Sequence, residues 1–538
     1  MAINVYTPGC HLLCHDDVIG SRRVSYILYL TDPDKPWRAE WGGALRLYPT
    51  ETMGEGEERA LVPLPDFSVV IPPAWNQLSF FAVQPGESFH DVEEVYARGE
   101  GEPGEDVDGG RVRMAISGWF HIPQEGEEGY EPGAEEKLAA RSSLSQLEGK
   151  ADQYDLPQPR WREYDGGAQE DGYEKGKAKL EEVGQQAELS EDDLQFLLRF
   201  MTPHYLTPDT VEELSELFAD ESSLRLSNLL SPKFSAHLRE FVEEAEKNSE
   251  IPSSKADGLT GKARPPHKHR FLYRHAADES PEQADAQTPY DALLDTFLPS
   301  TAFKKWLSLA TGLTLSRSNV LARRFRRGLD YTLATSYDEP EPQLEICLAI
   351  TPSKGWGEEE NEDEEAEDDE TSEDGDTIEH DKANGRASRA DEPPRGKKAP
   401  WNGTENGDAQ KGSTAAAPAA APATETDGVG GYEVYMAGDD DDDEEDAANG
   451  REVTGDRSTG AGQRRRRADP AVYRSGGGAE DEDGVLFSMA PSWNNMSIVL
   501  RDTGVLRFVK YVSRAARGDR WDVVGDFGVV PEEDEAEE

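Results

Sequence analysis

Three short stretches of this chain occur twice, in the same order. Pro73-Ala74-Trp75-Asn76-Gln77-Leu78-Ser79 returns as Pro491-Ser492-Trp493-Asn494-Asn495-Met496-Ser497, and Gly86 then falls on Gly504 without a gap. Tyr26-Ile27-Leu28-Tyr29-Leu30-Thr31 is echoed by Ile346-Cys347-Leu348-Ala349-Ile350-Thr351, and Gly42-Gly43-Ala44-Leu45-Arg46-Leu47 by Gly430-Gly431-Tyr432-Glu433-Val434-Tyr435. An ordered repeat of this kind means one supersecondary unit built twice. The unit is strand-like. Val24 to Leu30 is a buried strand ended by the turn residues Thr31-Asp32-Pro33-Asp34, and Phe67–Ile71 and Gln77–Val83 are two more. Strands punctuated by turns at intervals of roughly 8–12 residues predict a sandwich or barrel. The expectation is two β-domains: residues 1–123, then a second assembled from 261–356, 429–437 and 471–529.

Charge decides what lies between. The chain has 538 residues and a formal net charge of −54, with 36% hydrophobic and 31% charged residues. So lopsided a balance points to acidic segments that bury too little apolar surface to order. Residues 124–180 read as a Glu/Gly-rich linker, 357–428 and 438–470 as low-complexity insertions in loops of the second domain, and 530–538 as an acidic tail. The same charge argues against nucleic-acid binding, since phosphates would be repelled over most of the surface. Within the second insertion, Arg464–Arg467 read either as a nuclear-import signal or as a counter-charge to Asp439–Asp443. No basic-then-apolar leader and no run of about 18 apolar residues argues for secretion or a membrane span. Cys10, Cys14 and Cys347 are too few and scattered for a disulfide framework and fit a reducing compartment. Cys10 and Cys14 flank His11 and His15, but no second pair with zinc-finger spacing accompanies them.

Chemistry concentrates near the N-terminus, in His11-Leu12-Leu13-Cys14-His15-Asp16-Asp17. On a strand, His15 and Asp17 share one face. His90, delivered after the turn at Pro85-Gly86, adds a second imidazole from a neighbouring strand. Two imidazoles and a carboxylate with open positions left over suit non-haem Fe(II); the bland alternative is a solvated turn. Next comes Gly110-Arg111-Val112-Arg113-Met114-Ala115-Ile116-Ser117-Gly118-Trp119-Phe120-His121, apolar enough to be buried yet carrying Arg113. A buried guanidinium needs an anion, and its planar fork matches a carboxylate. That anion is either a bound dicarboxylate or a Glu beside an edge strand.

These residues together resemble the eukaryotic ribosomal prolyl 3-hydroxylase and prolyl 3,4-dihydroxylase family. The likeness rests on Leu12 to Tyr29, Trp41 to Tyr48, Gly86 to His90 and Arg113 to His121, and returns over parts of 189–530. It implies a mainly β protein with helical segments and two double-stranded β-helix (jelly-roll) domains, the first catalytic and the second degenerate. It implies Fe(II) on His15, Asp17 and His90, 2-oxoglutarate held by Arg113 with Tyr6 and Tyr29 beside it, O2 as co-reactant and L-ascorbate as support. The implied substrate is a proline of a small-subunit ribosomal protein at the decoding centre, with consequences for translation termination and fidelity. The implied location is cytoplasmic or nuclear, and regulatory proteins are implied partners of the C-terminal domain. In the family a sizeable segment precedes the first ligand; here His15 comes almost at once, so the first barrel is expected to be N-terminally truncated, either because the chain is cut short or because the barrel lacks a wall.

Aligning Gly9 on Gly328 puts Ala334 and Ser336 where His15 and Asp17 stand, and His90 falls on Phe508, so the second copy should hold no iron. Two other readings stay open. One is a regulatory scaffold with a dead site, binding proteins through its C-terminal barrel. The other is a cupin-like metal enzyme of different chemistry, which would leave Arg113 without a purpose.

Between the domains, residues 181–260 read as helical. Ser190 caps one helix ahead of Glu191-Asp192-Asp193, and Pro208 opens the next. The basic, aromatic-laced run 262–274 is either a contact for RNA or an acidic partner, or a connector lying on the acidic protein itself.

Overall fold

The structure is a computed structural model, and it describes residues 1–54, 60–98, 111–133, 153–164, 189–253, 258–277, 287–335, 337, 339–356, 429–437 and 485–530. The expected insertions at 357–428 and 438–470, Arg464–Arg467 included, lie outside the described residues, as do Ser336 and the acidic tail from 531 onward. Residues 1–358 and 426–538 form one compact unit. It is mainly β with a few helices.

Among the described residues the first part holds the strands β1 (Ala2–Tyr6), β2 (Leu12–His15), β3 (Arg22–Tyr29), β4 (Leu45–Leu47), β5 (Thr50–Met53), β6 (Ala60–Pro63), β7 (Val69–Ile71), β8 (Leu78–Ala82), β9 (His90–Val92) and β10 (Arg113–His121). They pair as two four-stranded sheets, β1-β10-β3-β8 and β2-β9-β4-β7, with β5-β6 as a separate hairpin. The second part adds β11 (Arg162–Glu163), β12 (Ser223–Ser227), β13 (Thr260–Lys262), β14 (His269–Arg270), β15 (Leu272–His275), β16 (Leu315–Phe325), β17 (Tyr331–Thr335), β18 (Gln343–Ile350), β19 (Glu433–Met436), β20 (Val485–Met489), β21 (Trp493–Arg501), β22 (Leu506–Val509) and β23 (Arg520–Val529). Its sheets run β12-β21-β18-β23-β16-β15-β13, with β11 on β16, and β14-β17-β22-β19-β20.

The repeat is now visible as topology. The order β1-β10-β3-β8 recurs as β16-β23-β18-β21, and β2-β9-β4-β7 as β17-β22-β19-β20. Registers agree too: Tyr6 faces Arg113 as Phe325 faces Arg520, Tyr29 faces Ala115 as Ala349 faces Asp522, and Tyr26 faces Phe80 as Ile346 faces Ile498. Asn76 and Asn494 both sit at a left-handed φ of 58°. Gly42 bridges Val95 as Gly430 bridges Val512. A Cβ on Gly42 would lie 2.0 Å from the Glu94 carbonyl oxygen, and one on Gly430 1.9 Å from that of Tyr511, so neither position admits a side chain. Ala2–Tyr6 supplies a strand beside β10.

What differs is the outer face. Leu78, Phe80, Met114 and Phe120 are exposed on the first assembly, Phe80 by 72%. The same positions in the second are Met496, Ile498, Trp521 and Phe527, all fully buried. They pack with Leu214, Phe218, Leu238, Phe303 and Trp306 from the helices Pro208–Glu221, Pro232–Glu246 and Thr301–Thr311. The helix Thr301–Thr311 falls inside a range expected to be β, and Ser223–Ser227 is a strand inside the range expected to be helical. Part of the expected linker is ordered as well: Leu156 bridges Arg264, and Arg162–Glu163 pairs with β16.

The run 262–274 lies on the protein itself. Lys262 pairs with Asp66, Lys268 with Asp155 and Arg274 with Asp291 and Asp295, over β13, β14 and β15. Among the described residues no helix is long and apolar enough to cross a membrane. The burial contrast makes a test: Ile498→Ala should cost about 2–5 kcal/mol in urea unfolding, and Phe80→Ala less than about 0.5 kcal/mol.

Candidate metal centre

β2 and β9 lie side by side with His15 opposite His90. Each imidazole turns its Nδ1 to the carbonyl two residues back, His15 to Leu13 at 2.8 Å and His90 to Ser88 at 2.8 Å. That leaves both Nε2 atoms facing inward. Asp17 meets them there, Oδ1 at 3.5 Å from His15 Nε2 and Oδ2 at 3.6 Å from His90 Nε2. The three ligand atoms lie within 4.8 Å of one another, and among the described residues this is the one such group of His, Cys, Asp or Glu. Cys10 and Cys14 are free thiols outside it.

The sequence pattern reached this trio by strand alternation, and the structure uses a different device for Asp17. β2 ends at His15, and Asp17 lies beyond it at φ 61°, in the left-handed region that Asp tolerates better than most residues. That turn swings the carboxylate back over the strand end. Trp119 Nε1 then donates to Asp17 Oδ2 at 3.1 Å, and Phe81 sets its ring edge-on to His90 at 4.6 Å. Neither residue was singled out from the sequence. Trp119 carried a signal, since it shares a strand face with Arg113.

Electrostatics suit a divalent cation. Burial raises the Asp17 pKa, but the hydrogen bond and charge of His15, with His90 and Trp119, outweigh it and hold the carboxyl well below its usual range. Burial, reinforced by the charge of His15, pushes His90 down to about 4, so its imidazole is neutral near pH 7 with a lone pair to give. At His15 burial is overcome by Asp17, and the pKa is raised.

Arg113 faces the same interior. It is buried, its Nε donates to the Gly43 carbonyl at 2.7 Å, and its guanidinium lies over the rings of Tyr6 (4.8 Å) and Tyr29 (5.1 Å). Among the described residues, Arg113 Nη2 is buried with no hydrogen-bond partner. The second assembly shows what answers such a guanidinium when nothing else does. Arg520 occupies the register of Arg113, donates to Gly431 as Arg113 does to Gly43, and lies over Phe325 where Arg113 lies over Tyr6. But Ala115 is replaced there by Asp522, whose carboxylate takes Arg520 at 2.7 Å. Glu433 and Glu345, joined by Arg323, Arg501 and Arg507, fill the rest of that interior. The orphaned Nη2 of Arg113, beside a two-histidine, one-carboxylate donor set, therefore fits Fe(II) with a dicarboxylate cosubstrate.

The register corrects one expectation. His90 pairs with Leu47 and with His15; the residue pairing with Tyr435 and Thr335 is Arg507, so Arg507 and Thr335 stand in the histidine positions rather than Phe508 and Ala334. One residue fewer separates β21 from β22 than an ungapped alignment assumes. Arg520 as the counterpart of Arg113 was not seen from the sequence either. The conclusion drawn there survives, since neither Arg507 nor Thr335 completes a metal triad.

His267 packs flat on Phe89, next to His90, with ring centroids 4.7 Å apart. Burial pushes its pKa down to about 3, and among the described residues its Nδ1 has no partner to stabilise a proton. The folded protein thus resists protonating His267 while the unfolded chain protonates it below about 6.5. Its contribution is intact above that pH and is lost as pH falls toward 3. His267→Phe should flatten this acid-side loss, read as a smaller drop in urea midpoint between pH 7 and pH 4.5.

Comparison with known proteins agrees with the geometry. Residues 1–121 match the 2OG-Fe(II) oxygenase superfamily, and residues 192–536 match the family described as "Oxoglutarate and iron-dependent oxygenase degradation C-term". A prolyl 3,4-dihydroxylase, OGFOD1, of Ostreococcus tauri is 26% identical over 97% of this chain and 76% of its own length. A prolyl 3-hydroxylase, OGFOD1, of Xenopus laevis is 39% identical, but over 20% of this chain and 17% of its own. A crystal structure of a Pseudomonas putida prolyl-4-hydroxylase aligns over 59% of this chain and 98% of its own with 10% identity and a TM-score of 0.27, too slight a likeness to carry an argument. With well over half of the sequence covered, this chain belongs to the family of 2-oxoglutarate- and iron-dependent oxygenases that carry this C-terminal region.

Proposed function

We propose that this chain hydroxylates a prolyl residue of a protein substrate, with His15, Asp17 and His90 holding Fe(II) and Arg113 gripping the far carboxylate of 2-oxoglutarate. The observation that carries the reading is the unanswered Arg113 guanidinium beside the trio, set against Arg520, which Asp522 answers. The chemistry supplied by Fe(II), 2-oxoglutarate and O2 together is C–H hydroxylation coupled to decarboxylation of 2-oxoglutarate to succinate.

The chain's own residues bind and aim. Backbone carbonyls fix the histidine rings, and Trp119 fixes the Asp17 carboxylate, so the donors need no rearrangement on metal binding. Tyr6 and Tyr29 flank Arg113 and wall the cosubstrate slot. Phe81 covers one side of His90 and limits water. L-Ascorbate would keep iron ferrous between turnovers.

We read both β-assemblies as double-stranded β-helices, with residues 1–123 catalytic and the second non-catalytic, its interior filled by its own ion pairs. The names of the related proteins and the family resemblance favour proline as the target. The resemblance adds a small-subunit ribosomal protein at the decoding centre and a place in the cytoplasm or nucleus.

The direct test incubates the ribosomal protein with this chain, Fe(II), ascorbate and 2-oxoglutarate and reads peptides by mass spectrometry. One added oxygen on a prolyl residue is expected, with matching succinate, and His90→Ala should abolish both. No added oxygen on any prolyl residue would reject the substrate. Arg113→Gln should weaken 2-oxoglutarate binding roughly 10–100-fold, measured anaerobically by calorimetry, because one charge-assisted pair is lost.

A further inference from the structure

β2 and β9 each have two faces. One carries the histidines, and the other is met by the second assembly. At β2 the register breaks between Leu12 and His15, and the amide there, Cys14 N, donates to the hydroxyl of Tyr331 at 3.2 Å. Tyr331 opens β17, is buried, and donates in turn to the Pro266 carbonyl at 2.6 Å. At β9 both neighbours of His90 are held. Phe89 stacks on His267, and Asp91 accepts a two-pronged pair from Arg46 at 2.7 and 2.9 Å. Asp91 also takes the Tyr48 hydroxyl, which accepts from Arg270 Nη1 at 2.9 Å. Arg270 is anchored by Asp330 at 3.6 Å. His267 and Arg270 belong to the basic run and, with Tyr331, are nine-tenths or more buried.

We propose that Tyr331, His267 and Arg270 are positioning residues for the metal centre, setting from behind the strands on which His15 and His90 ride. This inference rests on the metal reading given above. Its physical basis is the pleat. A rotation or slip of either strand displaces its imidazole directly, because side chains alternate between the faces. The histidines' own hydrogen bonds go to the carbonyls of Leu13 and Ser88 on the same strands, so they move with the strand rather than resisting it. Resistance comes from the other face. A buried Arg joined through a tyrosine hydroxyl to a buried Asp is a weak stabiliser, since desolvation offsets most of the attraction, but it tolerates few geometries. Tyr331 answers an amide that the ladder leaves over at the break, which pins β2 one residue before its ligand.

The test titrates the full chain with Co(II), which absorbs in the visible and reports coordination without turnover. The set is wild type, Tyr331→Phe, His267→Ala, His267→Phe, His90→Ala and Ile498→Ala. His90→Ala should abolish saturable binding. Tyr331→Phe and His267→Ala should each weaken it roughly tenfold or more and alter the visible band, as loss of outer-shell support does. His267→Phe keeps a flat ring on Phe89 and should restore wild-type affinity. Ile498→Ala, which truncates the core far from β2 and β9, should lower the melting temperature while leaving Co(II) affinity unchanged. Wild-type affinity and spectrum in both Tyr331→Phe and His267→Ala, with His90→Ala still dead, would overturn the inference and leave the metal reading intact. So would an equal loss in Ile498→Ala, which would make the effect one of general stability. Binding indifferent to His90→Ala would overturn the metal reading, and the inference with it.

Discussion

A guanidinium taken out of water requires an anion within reach, and that demand organises both halves of this protein. In each, a strand begins with an arginine whose side chain turns inward and donates to the second glycine of a Gly-Gly pair. In the second half a carboxylate two residues further along the same strand meets the demand internally. In the first half that position is Ala115, which supplies no carboxylate. At matching registers, a methyl thus stands in the first half where a carboxylate answers the guanidinium in the second.

Around that difference the second half has become a closed charge lattice. Burial raises the pKa of Glu345, but Arg507 and Arg501 outweigh it and hold it ionised, and Glu433 behaves likewise with Arg507, Arg323 and Arg520. Such a lattice needs all its members, which favours one geometry over many. A rigid second half suits a backing for the first. Its outer apolar face is sealed by helices, while its smaller sheet and the segment leading into it press against β2 and β9. Of the basic residues in 262–274, Arg270 takes part in this contact, Arg274 pairs with Asp291 and Asp295, and Lys262 and Lys268 pair with Asp66 and Asp155.

The basic run and the repeat were both legible in the sequence, yet each was read at lower resolution than the structure allows. Pattern matching aligned Pro73 with Pro491 and carried the frame through Gly504, which is correct for that turn. It then assigned Phe508 to the histidine position, because a single deletion before β22 leaves no trace in a weakly similar segment. Only backbone pairing, Arg507 against Tyr435 and Thr335, reveals it. Asp17 is the reverse case. The residue was identified, but by an argument from strand alternation that does not hold there, since a left-handed turn does the work.

The sequence by itself determined the donor set, the buried arginine, the repeated unit and the acidic segments. Each of these is a matter of residue type at short range: imidazoles and a carboxylate beside apolar strands, glycines where no Cβ fits, charge where no core can form. Tertiary structure alone decided that Asp522 answers Arg520 while no carboxylate among the described residues answers Arg113, and that Tyr331, His267 and Arg270 stand behind the two histidines. Those contacts join residues hundreds of positions apart, and no local propensity encodes which buried charge will find which partner once two sheets close on each other.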